Sequence, residues 1–107
     1  MNGANDLQKF IVSYLKAQGW TVWRNNSGQI RTSSYTVRLS PSGLGDVIGF
    51  DPRGAFVNIE VKIDEDVISL KQVDVLATIA ASPYGIACVA RTEKQFLQWF
   101  RDCKKTV

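Results

Sequence analysis

The sequence predicts one layered α/β domain, a mixed β-sheet flanked by helices in the order α-β-β-β-β-α-β-α. Three observations carry this. Segments with apolar residues at helical spacing alternate with short runs of β-branched and aromatic residues. Turn chemistry separates them, with no repeat, linker or low-complexity stretch between. The 107-residue length suits a single domain around a single core. Hydrophobic residues at 45% and charged ones at 21% exclude a disordered or fibrous chain.

The first helix is marked by Leu7, Phe10, Ile11, Tyr14 and Leu15 on one face, with Asn5 as N-cap, Gln8 three positions on, and Gly19 at the C-terminal end. Residues 20–24 read as a strand, and Asn25-Asn26-Ser27-Gly28 as a loop. Residues 35–39 form a second strand in which Tyr35, Val37 and Leu39 alternate with Thr36 and Arg38, broken by Pro41 to Gly45. Residues 46–50 and 55–63 flank Asp51-Pro52-Arg53-Gly54, whose Pro at the second place and Gly at the fourth fit a type I turn closed by a glycine bulge. With Asp51 facing Ala55, Phe50 faces Phe56, Ile48 faces Asn58, and Asp46 faces Glu60; a two-residue loop would send Asp46 to the opposite face. A helix over 69–81 follows, with Leu70, Val73, Leu76, Ala77 and Ala80 as its apolar stripe. Pro83-Tyr84-Gly85 ends it, residues 86–90 form an apolar strand buried on both faces, and a last helix over 93–104 carries Phe96, Trp99, Phe100 and Cys103.

The chain has no histidine. That excludes an imidazole base, Ser-His and Cys-His nucleophiles and histidine-containing zinc sites. Catalysis would rest on carboxylates, lysine or tyrosine, and a metal would be a hard cation held by oxygen. A net charge of +3 suits a polyanionic partner without proving one. Cys88 and Cys103 form no CxxC motif and read as reduced, buried thiols. The polar stretch from Asn2 to Gln8 predicts no signal peptide, and no apolar run approaches membrane length, so the expectation is a soluble intracellular domain.

Alternation along residues 55–62 puts Ala55, Val57, Ile59 and Val61 on one face and Phe56, Asn58, Glu60 and Lys62 on the other. Glu60 and Lys62 then project together, with Asp46 across the hairpin. Neighbouring carboxylates repel unless one is protonated or a cation lies between them. A divalent ion answers that need, and an adjacent lysine can orient water or stabilise charge on a phosphate. The plainer reading of Glu-x-Lys is a solvated surface ion pair.

The string Gly43-Leu44-Gly45-Asp46, Ile59-Glu60-Val61-Lys62 and Ser69-Leu70-Lys71-Gln72, with the amphipathic first helix, Trp23-Arg24-Asn25-Asn26 and the strand before Arg91, resembles the VRR-NUC (virus-type replication-repair nuclease) domains of the PD-(D/E)XK nuclease superfamily. The resemblance covers nearly the whole chain. It implies a restriction-endonuclease-like core over residues 1–107, Mg²⁺ or Mn²⁺ held by Asp46, Glu60 and the Val61 carbonyl, Lys62 as catalytic lysine, and Gln72 as a polar helix residue facing the site. Many members carry a glutamate at the start of the first helix; here Asp6 is the nearest acid, either a stand-in metal ligand or a residue serving the helix dipole. Gln72 likewise has two readings, since Ser69-x-x-Gln72 is also a capping box.

For DNA contact, Arg24, Arg31, Arg38, Arg53 and Lys71 are the candidate cations, joined by Asn25, Asn26, Ser27 and Gln29. Trp20 and Trp23 are either base-stacking or packing residues. The expected function is a metal-dependent nuclease acting on structured or branched DNA, in the manner of a Holliday-junction resolvase. It would work as a homodimer in the cytoplasm of a bacterial or phage-infected cell. The alternative is a non-catalytic nucleic-acid-binding or regulatory module on the same fold.

Overall fold

The computed structural model describes residues 3–25, 29–31, 33–34, 36–38 and 43–105. In chain order the elements are α1 (Gly3–Ala17), β1 (Thr21–Arg24), β2 (Gln29–Arg31), β3 (Thr36–Arg38), β4 (Val47–Phe50), β5 (Phe56–Val61), α2 (Leu70–Ala81), β6 (Gly85–Ala90) and α3 (Glu93–Lys105). Four strands form a mixed sheet in the order β1-β4-β5-β6, antiparallel except for the parallel β5–β6 pair. The expected order of helices and main strands is present. The strand expected over 35–39 is found at Thr36–Arg38, with Tyr35 and Leu39 outside the described residues. It pairs with an additional short strand, β2, in a separate two-stranded ribbon.

α1 starts earlier than expected. Asn5 lies inside the helix, not at its cap, and its side-chain oxygen accepts a hydrogen bond from Arg24. The C-terminus is as expected: Trp20 N–H donates to Leu15 O (3.0 Å) and Gly19 N–H to Lys16 O (3.0 Å), with Gly19 at φ +90°, a Schellman motif.

The β4–β5 turn has the expected register. Phe50 opposes Phe56 and Ile48 opposes Asn58. The Asp51 carboxylate organises the corner: Oδ1 accepts from the amides of Arg53 (2.9 Å) and Ala55 (2.8 Å), and Oδ2 accepts from the Arg53 guanidinium (3.0 and 3.1 Å). Burial pushes this carboxyl upward, but the Ala55 and Arg53 donors outweigh it and hold Asp51 below the usual carboxylate range.

One sheet face carries the core. Leu7, Ile11 and Leu15 of α1, and Phe96 and Phe100 of α3, pack on Val22, Val47, Val57, Ile59, Cys88 and Ala90. Phe10, Tyr14, Trp20 and Trp99 close its rim through edge-on and tilted ring contacts. The opposite face is covered only in part. α2 packs on β6 and β5, and contrary to expectation none of its stripe is fully buried; Leu70 is 84% exposed. Consequently β6 is not buried on both faces: Cys88 and Ala90 are, while Ala87 and Val89 under α2 remain half-exposed. A cleft lined by Val73, Leu76, Ala77 and Ala80 of α2 and by Ala87 and Val89 of β6 leaves both sides part-exposed.

β1 and β4 approach so closely that a Cβ at Gly49 would lie 2.0 Å from the Thr21 carbonyl oxygen. Gly54, also at positive φ (+89°), has nothing within 4 Å of the same position. Gly49→Ala should therefore cost about 3 kcal/mol or more by overpacking, whereas Gly54→Ala should cost about 1–2 kcal/mol, the ordinary price of a left-handed non-glycine residue. Urea denaturation of the two variants tests this, and equal losses would contradict the close approach.

Candidate functional site

Asp46 immediately precedes β4 and is held at three points. Its amide donates to Ile59 O (2.9 Å), its carbonyl accepts from the Asn25 amide (2.8 Å), and its Oδ2 accepts from the Val61 amide (2.8 Å). These contacts continue the hairpin register by one residue and set Asp46 beside Glu60. The Asp46 carboxyl lies close enough to Glu60 to oppose its ionisation. Glu60 is 2% exposed, and its Oε2 is buried with no hydrogen-bond partner. Lys62, half-buried, follows on the same face of the strand, and its charge favours the Glu60 carboxylate.

Burial, then the Asp46 carboxyl, raises the Glu60 pKa from 4.5 to about 8, against the partial offset of Lys62. Without a cation the pair therefore holds one proton near neutral pH. The donor set, two hard carboxylate oxygens with one oxygen orphaned, fits a divalent cation that prefers oxygen. Among the described residues no group of three or more metal-binding side chains is gathered. Asp6 lines a different cleft, with Ile63, Asp64 and Arg91.

Sequence reasoning passed over Asn58. This residue is 0% exposed on the face shared with Glu60, and its Oδ1 accepts from the Gly45 amide (2.8 Å) while its Nδ2 has no partner. Gly45 packs so tightly on β5 that a Cβ would lie 2.7 Å from Ile59 O. Asn58 thus holds the segment that delivers Asp46. An asparagine in an otherwise apolar strand was the available signal.

The remaining candidates divide. Gln72 forms the capping box: its Oε1 accepts from the Ser69 amide (2.8 Å), and the Ser69 hydroxyl accepts from the Gln72 amide (3.1 Å). Lys71 is exposed in the same turn, against which Gly43 packs. Asn25 braces the site, its side-chain amide donating to Gly45 O (2.9 Å). Arg24 points to the α1 side and donates to Gln8 and Asn5. Arg53 is bound to Asp51 at the turn, about 17 Å along the hairpin from Asp46 at strand rise. Gln29 and Arg31 belong to β2 and Arg38 to β3; Asn26 and Ser27 lie outside the described residues. Trp20 packs on Phe100, whereas Trp23 is exposed.

In comparisons with known proteins, the chain matches no family model, no curated protein and no solved structure. No helix among the described residues is long and apolar enough to cross a membrane.

A raised carboxyl means that the folded chain keeps a proton the unfolded chain has already lost between pH 4.5 and about 8. Stability of the metal-free protein must then fall as pH rises through that window. Thermal unfolding in chelator should show the melting temperature declining between about pH 5 and pH 8, and Glu60→Gln should flatten the decline. A wild-type protein as stable at the upper end as at the lower would refute the protonated pair.

Proposed function

We propose that this chain is a divalent-metal-dependent nuclease that hydrolyses phosphodiester bonds in structured or branched DNA during replication or repair. Its core would be of the PD-(D/E)XK type, within the VRR-NUC group. The observation that supports the reading is the buried Asp46–Glu60 pair with its orphaned oxygen and adjacent Lys62. A buried ionisable pair with an unpartnered oxygen costs stability that function can justify.

In this reading Asp46, Glu60 and the Val61 carbonyl hold Mg²⁺ or Mn²⁺. When bound, the ion supplies Lewis acidity toward the phosphate and acidifies the attacking water. Glu60 would give up its proton to become a full carboxylate. Lys62 places positive charge where negative charge develops on the phosphate, a task that needs no imidazole. Asn58 and Asn25 keep Asp46 in place through the Gly45 backbone. Gln72 serves α2 as a cap and supports the site only by fixing that helix end. A two-fold homodimer, acting in the cytoplasm, would present two such sites to the two strands of a branch.

The test is cleavage of linear, flapped and four-way DNA in Mg²⁺ or Mn²⁺. Wild type should cut the branched forms, while Glu60→Ala and Lys62→Ala should each lose about 100-fold or more, as expected on removing a group that stabilises transition-state charge. In parallel, Mn²⁺ at 100 times its Kd should stabilise wild type by about 2.7 kcal/mol and leave Glu60→Gln unmoved. A wild type that binds DNA but cuts none of the substrates would replace this reading with that of a non-catalytic binding module.

A further inference from the structure

The sheet face that holds Asp46 and Glu60 also carries a row of aromatic side chains left open by α2. Trp23 pairs with Ile48, which pairs with Asn58, and Phe50 pairs with Phe56. Directly opposed residues share a face, so Trp23, Phe50 and Phe56 lie on the carboxylates' side of the sheet. Their rings are neighbours, with centroids 6.5 Å apart for Trp23–Phe50 and 6.4 Å for Phe50–Phe56. Trp23 is 45% exposed and Phe50 44%. Neighbouring aromatics exposed together on one sheet face form a contiguous apolar patch, the kind of surface that serves contact.

We infer that Trp23 and Phe50 form a stacking platform for unpaired bases of single-stranded DNA running to the Asp46–Glu60 pair. The choice of ligand rests on the nuclease reading and deepens it: the substrate would be one with unpaired nucleotides beside the cut. Spacing supports it. At strand rise and inter-strand distance, the Trp23 backbone lies about 8 Å from that of Asp46, and the Phe50 backbone about 13 Å. Successive bases of an extended strand can therefore meet successive rings while a phosphate reaches the carboxylates.

Charge supports it too. From Asn25 to Gly45 the chain contains two arginines, Arg31 and Arg38, and no acidic residue. That segment leaves the sheet one residue beyond Trp23 and rejoins it at Asp46. Lys62 stands on the same face. Apart from Asp46 and Glu60, the described residues of β1, β4 and β5 include no acid. A polyanion with flat apolar bases matches an aromatic row that shares its face with Lys62 on a chain of net charge +3, whereas a protein partner would need only the apolar part.

The test is binding by the full chain in chelator, so that cleavage plays no part. The probes are a labelled single-stranded pyrimidine DNA, the same strand with a run of abasic sites, and a blunt duplex. Each stacked base should be worth about 5- to 150-fold in affinity. Wild type should prefer the base-bearing strand over the abasic one by that factor. Trp23→Ala and Phe50→Ala should abolish the preference with abasic binding unchanged within about twofold, and Trp23→Phe should restore most of it. In wild type, the base-bearing strand and not the abasic one should quench tryptophan fluorescence, a readout that needs no variant to fold. Equal affinity of wild type for both strands would overturn the platform. So would a Trp23→Ala loss common to all three probes, or a Trp23→Ala dimer that dissociates in sedimentation with single-strand affinity intact, which would give the face to a second copy. A base preference without any cleavage would sink the nuclease reading alone, and cleavage without a base preference the platform alone.

Discussion

The register of the β4–β5 hairpin is the constraint on which the rest depends. A β-strand has two faces, and a slip of one residue exchanges them. Asp51 prevents that slip by satisfying the turn's amides and the Arg53 guanidinium with one carboxylate. From that corner the pairing runs to the open end, where the Asp46 amide bonds Ile59 O and its carboxylate bonds the Val61 amide. The same alternation commits Val47, Val57 and Ile59 to α1 and α3, and Asp46, Glu60 and Lys62 to the other side. Core and site are two faces of one register.

The polar group on the second face is costly. Glu60 and Asn58 are buried, and each has an atom without a partner. An unsatisfied buried polar atom costs about 1–3 kcal/mol. A chain selected for stability alone would place apolar residues at both positions, since the strand between them is otherwise apolar. Here the Gly45 amide takes up part of the hydrogen-bonding demand through Asn58 Oδ1, leaving the Glu60 Oε2 as the open valence.

Much of this was legible in the residues. Pro52 and Gly54 announced the turn, and the turn announced the Asp46–Glu60 encounter. Gly19 announced the end of α1, and Ser69 with Gln72 the start of α2. What escaped was tertiary. Asn5 is a good cap residue, but the helix begins at Gly3 and the Asn5 side chain serves Arg24 instead. The stripe of α2 has helical period, yet period says only which residues share a face and not how far a sheet extends beneath them. Asn58 could be read as one more outward polar residue until the Gly45 amide was seen to need it. Trp20 and Trp23, three apart, fall on opposite faces of an extended chain, but which face meets Phe100 is decided by packing and not by that spacing.

Asn25 joins the outgoing end of β1 to the incoming end of β4, its backbone bonding Asp46 O and its side chain Gly45 O. The chain between these points therefore begins and ends at one staple, and the separation of its ends is set by the sheet. Closing a longer loop over a fixed gap costs only about 0.6 kcal/mol per doubling of length. This is a natural graft point. The intervening segment can be lengthened, shortened or exchanged for another module with little effect on the four-stranded core, so its evolution and that of the carboxylate pair can proceed at different rates.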